Sequence, residues 1–166
     1  MTLAELMNGK TPSALYAGVS TADDFVLAVN LADTPAENPS GYIVAQEGIT
    51  EHTGSLESQT TESQYIRTGK SATKTGTSRT FSINGDRFCG DAFQDAVLAH
   101  GMKYGTGNSV VKEYVYFNIL TGKGEQGKVS ITVEDDMSGA AGEKASWSAT
   151  LKSVGTPTEY TYAAGV

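Results

Sequence analysis

Apolar and polar residues alternate strictly in two C-terminal stretches. In residues 128–135, Val129, Ile131 and Val133 point one way, and Ser130, Thr132 and Glu134 the other. In residues 145–152, Ala145, Trp147, Ala149 and Leu151 share one face, and Ser146, Ser148 and Thr150 the opposite one. A period of two belongs to a strand with one buried face, so both stretches predict strands. Residues 110–120 form a denser apolar run with Val111, Val115, Phe117 and Ile119 on one side and Tyr114 and Tyr116 on the other. Residues 25–31 predict another strand, with Phe25, Leu27, Val29 and Leu31 on one face. Residues 42–47 and 158–162 predict two more short ones.

Between these runs the pattern changes. Residues 53–82 are nearly all Ser, Thr, Gly, Gln, Glu and Lys, broken by Leu56, Tyr65 and Ile66. Threonine content and the lack of proline favour a long, polar, two-stranded hairpin there, turning near Gly69. Residues 91–100 predict the one clear helix: Asp91 caps it, Phe93 and Val97 form its apolar stripe, His100 sits in its last turn and Gly101 closes it. Residues 3–8 have the length of one or two helical turns and are read as part of a flexible N-terminal arm, 1–12. Residues 33–41, with Pro35 and Pro39, read as a loop. The sum is one mainly β domain over 1–166: an antiparallel β-sandwich or open barrel with one flanking α-helix.

Composition narrows the function classes. A formal net charge of -7 disfavours nucleic-acid binding through a basic surface, though not nucleic acid as cargo, which a conduit should repel. The single cysteine, Cys89, excludes an intramolecular disulfide and reads as a small buried residue beside Phe88. The N-terminus lacks the basic and apolar regions of a secretory signal, and no stretch approaches the ~20 apolar residues of a membrane span.

Chemical motifs lack their required context. Gly122-Lys-Gly-Glu-Gln-Gly127 matches the dinucleotide fingerprint, but a strand follows it rather than a helix, so it reads as a glycine-rich hairpin turn. Gly69-Lys70-Ser71 resembles the end of a phosphate-binding loop, but Gln64 stands where the first glycine belongs. Glu134-Asp135-Asp136 lacks the full calcium-loop pattern and reads as a solvated acidic turn. His52 and His100 are the only histidines, no G-x-S-x-G elbow exists, and no histidine pair has metal-ligand spacing. The reading is therefore a non-enzyme without cofactor or metal. Trp147 lies on an apolar strand face and reads as core rather than as a sugar-stacking platform.

Several segments, in order, carry a resemblance. They are Tyr65-Ile-Arg-Thr-Gly-Lys-Ser-Ala-Thr-Lys-Thr-Gly76, Arg79-Thr-Phe-Ser-Ile-Asn-Gly-Asp-Arg87, Gly90-Asp-Ala-Phe-Gln-Asp95, Lys103-Tyr-Gly-Thr-Gly107, Tyr114-Val-Tyr-Phe-Asn118, Leu120-Thr-Gly-Lys-Gly-Glu125, Gly127-Lys-Val-Ser130 and Pro157-Thr-Glu-Tyr-Thr-Tyr162. Together, over about residues 48–162, they resemble the tail tube (major tail) proteins of phages infecting Gram-positive bacteria, or the related tube of a tail-like bacteriocin. The resemblance implies two antiparallel sheets flanked by a helix, hexameric rings, stacking of rings, and a continuous inner β-barrel. It implies the chain itself as main partner, with tape measure, tail terminator and baseplate proteins beside it, and DNA as passing cargo. It also implies a virion tail assembled in the host bacterial cytoplasm, with no membrane involved. A different class, a β-sandwich adhesion or carbohydrate-binding module, remains as the alternative.

On the tube reading, a wall of hydroxyls and carboxylates suits the lumen. The candidates are Ser130, Thr132, Glu134, Ser146, Ser148 and Thr150. Glu57 and Glu62 are further candidates of opposite parity, so a regular strand presents at most one of them. Thr73, Thr75 and Thr77 are candidates for the strands that close the ring. Lys70, Lys74 and Arg79 are expected at subunit contacts, paired with acids.

Overall fold

The structure is a computed structural model and describes residues 1–36 and 38–163; Glu37, in the 33–41 loop, and residues 164–166 lie outside the described residues. Seven strands follow one another along the described residues: β1 (Phe25–Val29), β2 (Ile43–Val44), β3 (Ile49–Tyr65), β4 (Gly69–Asp86), β5 (Val111–Asn118), β6 (Lys123–Ser138) and β7 (Ser146–Thr161). All pair antiparallel in one sheet of order β2-β1-β5-β6-β7-β4-β3. Three short helices accompany them: α1 (Leu3–Met7), α2 (Ala92–Val97) and α3 (His100–Lys103).

The sheet becomes two layers because its longest strands serve both halves. β5 pairs with β6 only over Gly124–Ser130, whereas β4 pairs with β7 only over Ser146–Lys152. Between the halves, β6 and β7 lose register at Gln126/Lys128. There Gly155 takes φ +82, which L side chains rarely adopt, and Pro157 offers no N–H to the ladder. One core cluster fills the space between the halves: Leu27, Val29 and Tyr114 from the β1/β5 half, and Phe81, Ile83, Ile131, Trp147, Ala149 and Leu151 from the other. α2 adds Phe93 and Val97 to it. This is the expected mainly β architecture with a flanking helix.

Four local expectations change. Residues 3–7 are a docked helix rather than a flexible arm: Leu3 and Met7 are buried in a second cluster with Val26, Ala28, Tyr42, Val44, Val115 and Phe117. A capping box, in which Thr2 and Glu5 exchange hydrogen bonds, starts the helix. The 91–100 helix stops at Val97, because Ala99 is extended (φ -61, ψ 149), and His100 opens α3 instead of closing α2. Residues 158–162 are no separate strand but the end of β7. The Gly122–Gly127 segment is only partly a turn, since β6 begins at Lys123. Gly124 then crosses β5 so closely that a Cβ there would collide with the Tyr116 carbonyl and the Phe117 Cα.

Candidate assembly surface

The six polar residues expected on one face lie together. Thr132 stands opposite Thr150, Ser130 opposite Lys152, Ser148 opposite Asn84, Thr150 opposite Ser82, and Ser82 opposite Thr53. Their strand neighbours Val129, Ile131, Ala149, Leu151, Phe81 and Ile83 are all buried in the core, so alternation sends the hydroxyls to the other side. Thr132, Glu134 and Ser146 are exposed; Ser130, Ser148 and Thr150 are half-buried. The Thr150 hydroxyl donates to Glu134 Oε1 at 2.6 Å, which ties Glu134 to the same surface. On the β1/β5 half, by contrast, the corresponding face is covered by α1 and Tyr42.

Beyond this face the hairpin projects. β4 pairs with β7 only from Thr80 to Asp86, whereas its pairing with β3 runs on to Gly69. Residues 69–79 therefore have β3 as their sole strand partner and form a two-stranded ribbon roughly 30 Å long at ~3.3 Å per residue. Leu56, Tyr65 and Ile66 are exposed on it, Ile66 at 91%. An isolated two-stranded ribbon is marginal in water, and a flat edge invites another strand.

Arg79 anchors the ribbon's root. Its Nε donates to Glu125 Oε1 at 2.8 Å, and its guanidinium lies over the rings of Phe81 and Tyr116, 4.7 and 5.1 Å from their centroids. Tyr114 donates to the same Glu125 oxygen at 3.0 Å. Burial first, and then the Glu125 charge, push the Tyr114 phenol far upward, so it remains a neutral donor. Arg79, expected at a subunit contact, thus finds its acid within its own chain. Lys70 also pairs internally, with Glu62 at 2.7 Å, but on the exposed ribbon. Lys74 is exposed.

Thr73, Thr75 and Thr77 do not share a face. The ladder runs Ser58↔Thr77 and Gln59↔Gly76, then skips to Thr60↔Lys74, which leaves Thr75 as an extra residue, a β-bulge. The bulge reverses parity, so Thr73 and Thr77 point to opposite sides. Across it, β3 stays regular, and Glu57 and Glu62 lie on opposite faces as expected.

Sequence reasoning also missed how the 33–41 loop is held. Glu113 accepts hydrogen bonds from Asn30 Nδ2 (3.1 Å), the Ala36 N–H (3.2 Å) and the Tyr42 hydroxyl (3.3 Å). Lys112 donates from Nζ to Asp33 Oδ1 (3.1 Å) and the Ala32 carbonyl (3.3 Å). Consecutive strand residues point to opposite faces, so Lys112 and Glu113 grip the loop from both sides of β5. The signal was available: Lys112 shares the inward parity of Tyr114, and a buried lysine needs partners.

The remaining flagged groups have plain roles. Trp147 is buried in the core, as expected. Cys89 is exposed, not buried, because it precedes the turn into α2. Asp136 pairs with Lys103 at 2.9 Å, and no group of three or more metal-ligating side chains occurs among the described residues.

No protein-family model and no curated protein matches the chain. Solved structures do. The chain is similar to one in the tail of an empty GTA particle refined with helical, C6 symmetry, with TM-score 0.61 and 18% identity over 87% of this chain and 100% of that chain. It is similar to a chain in the virion of a native gene transfer agent particle, with TM-score 0.57 and 15% identity over 86% and 100%. A chain of the PVC extracellular contractile injection system, in its extended sheath–tube complex, follows at TM-score 0.50 and 11% identity over 95% and 97%. At such identities the likeness is one of fold.

Proposed function

We propose that the chain is a tail tube subunit. Copies close into hexameric rings, the rings stack, and the hydroxyl face of each copy lines a continuous inner β-barrel. The observation that carries this reading is the ribbon: strands β3 and β4 run far past the core that supports them, beside a bare hydroxyl face. Within one subunit that arrangement leaves the seventeen-residue β3 as an open edge. Closure into a ring gives the edge a partner and the ribbon a neighbour to lie on. The similarity to chains from a C6-symmetric particle tail and a sheath–tube complex supports it.

On this reading the partners are further copies, then tape measure, tail terminator and baseplate proteins, in a phage tail or a tail-like bacteriocin of Gram-positive hosts. DNA passes through without specific binding, and assembly takes place in the host bacterial cytoplasm. Negative-stain microscopy of the purified protein tests it. Hollow tubes or rings with six-fold end views are expected. A chain that stays monomeric by light scattering at high concentration, with neither rings nor tubes on the grid, excludes it.

A further inference from the structure

The hairpin contains two bulges of one design. At the start of β3, Thr50 is the extra residue between the pairs Ile49↔Gly85 and Glu51↔Asn84, and its hydroxyl donates to the Asn84 carbonyl at 3.2 Å. In the ribbon, Thr75 is the extra residue, and its hydroxyl donates to the Gln59 carbonyl at 3.2 Å. In each case a threonine hydroxyl satisfies the opposing strand where the ladder is interrupted.

The second bulge decides where the ribbon's cations go. Below it, Thr77, Arg79, Phe81 and Ile83 share the core-side face, opposite Ser58, Leu56, Gly54 and His52. Unbroken alternation would send even-numbered residues, Lys74 and Lys70 among them, to the face of Thr80 and Ser82. The extra Thr75 reverses this. Lys74, Ala72 and Lys70 come opposite Thr60, Glu62 and Gln64, on the same side as Ser58 and Leu56. The 2.7 Å pair between Lys70 and Glu62 reports that side directly. What the ribbon then adds to the hydroxyl face is Ser71, Thr73 and Ser78 from β4 and Glu57, Thr61 and Ser63 from β3. It adds no lysine. The lysines of that face in the body of the sheet are Lys152, opposite Ser130 and Thr80, and Lys128, opposite Glu113. Regular alternation would have doubled them.

We propose that the Thr75 bulge sorts charge: it holds Lys70 and Lys74 off the hydroxyl face, so that a polyanion moving along that face meets hydroxyls and carboxylates with Lys128 and Lys152 as the strand lysines among them, too few to retain it. The proposal rests on the tail tube reading, and it identifies the bulge as the element that suits the conduit to a phosphate-bearing cargo. Each lysine contact to a phosphate releases counterions, and sixfold repetition in every ring multiplies small affinities into retention.

The test moves charge between the two faces, in two paired swaps without changing composition and in two single variants that add one lysine to either face. Thr73→Lys with Lys74→Thr, and Ser71→Lys with Lys70→Ser, carry a lysine from one face of the ribbon to the other. Ala72→Lys adds a cation on the core-side face as control, and Thr132→Lys places one on the hydroxyl face away from the ribbon. Assembled tubes are sedimented with a fluorescent double-stranded oligonucleotide. Native and Ala72→Lys tubes are expected to retain little. The swapped and Thr132→Lys tubes should retain on the order of tenfold more at about 50 mM salt and lose it near 200 mM. Tubes of all variants retaining equally, or Ala72→Lys retaining as much as the swaps, overturn the charge-sorting proposal and leave the tube intact. Should the swaps fail to form tubes, the Thr132→Lys comparison with Ala72→Lys decides. Native protein that forms no tubes removes the tail tube reading itself.

Discussion

Arg79 and Glu125, 46 positions apart in the chain, meet at 2.8 Å where the projecting hairpin leaves the sheet. The pair joins β4 to β6 without a direct ladder between them, since β7 lies between in the strand order. Only 12% of the Arg79 side chain and 26% of Glu125 remain exposed, so water screens the pair poorly. Removing the cation leaves a half-buried carboxylate facing Tyr114. Arg79→Ala should therefore cost about 2–4 kcal/mol in denaturant unfolding. Arg79→Lys should recover part of this, because a lysine keeps the charge but not the planar stacking on Phe81 and Tyr116. Equal losses for both variants would show that the stacking, not the charge, holds the ribbon's root.

The N-terminal helix offers a second measurement. Leu3 and Met7 are 1% and 2% exposed. Leu3→Ala should cost about 2–5 kcal/mol, the usual range for truncating a buried leucine. Deleting residues 1–8 should lower the unfolding midpoint as well, since it uncovers Val26, Val115 and Phe117. A truncated protein as stable as the full chain would mean that α1 is not docked in solution.

Much of this fold was legible because burial imposes strict alternation. Val129, Ile131, Trp147, Ala149 and Leu151 had only one face on which to lie, and Ser130, Thr132, Ser148 and Thr150 beside them followed, whereas Glu134 is skipped by the ladder and reaches that surface through its hydrogen bond with Thr150. The polar hairpin was legible from threonine content, and its turn near Gly69 from the glycine itself. What escaped are the breaks in alternation. Thr50 and Thr75 are bulges that look, in sequence, like any other threonine in a polar strand, so nothing in the sequence separates the side taken by Thr73 from that taken by Thr77. Parity is counted along a chain, and a single extra residue inverts every position beyond it. The Arg79–Glu125 pair escaped for another reason: nothing local marks two residues on strands that become near neighbours only because both pair with β7. Leu3 and Met7 escaped because a five-residue amphipathic helix has too few positions to show a period.

Glu113 makes stability depend on acid. Burial works against its charge, but the hydrogen bonds from Asn30, Ala36 and Tyr42, with Lys128 nearby, outweigh it and hold the carboxyl below its ordinary 4.5. A group depressed on folding contributes stability above its ordinary value, and that contribution is lost as pH falls through the depressed one. The grip on the 33–41 loop should thus weaken below pH 4.5. Proteolysis within that loop should accelerate there. Glu113→Gln should show fast cleavage already at neutral pH, lose about 1–2 kcal/mol, and flatten the acid limb. An unchanged pH profile in the variant would assign the acid sensitivity to other carboxylates.

Gly124 admits no side chain. A Cβ at this position would collide with the backbone of Tyr116 and Phe117, and backbone cannot swing aside as a flexible side chain can. Gly124→Ala should destabilise the protein by about 1–3 kcal/mol or more and disturb the β5–β6 ladder. Gly142, with open space around its Cβ position but φ +87, is the comparison: alanine there meets only backbone strain, of order 1 kcal/mol. Thermal melts of the two variants that coincide would argue against the close β5–β6 approach.

The ribbon provides the sharpest separation of folding from assembly. Core residues end at Phe81 on β4, and beyond Arg79 the strand pairs with β3 alone. A proline there removes one backbone donor and restricts φ, with no core side chain displaced. Thr73→Pro, Thr75→Pro and Thr77→Pro should therefore leave the cooperative unfolding of the monomer within about 1 kcal/mol of native. The three positions differ in what they sever. Thr77 lies opposite Ser58 and Thr73 opposite Thr61 in the regular ladder, whereas Thr75 is the unpaired bulge residue. On an antiparallel strand, donors point alternately to the partner within the chain and to the outside. At least one of the three prolines should thus remove a donor that a neighbouring subunit uses. That variant should stay a folded monomer and form no rings, while native protein under the same conditions forms tubes. Normal tubes from all three would mean that this strand takes no part in closing the ring.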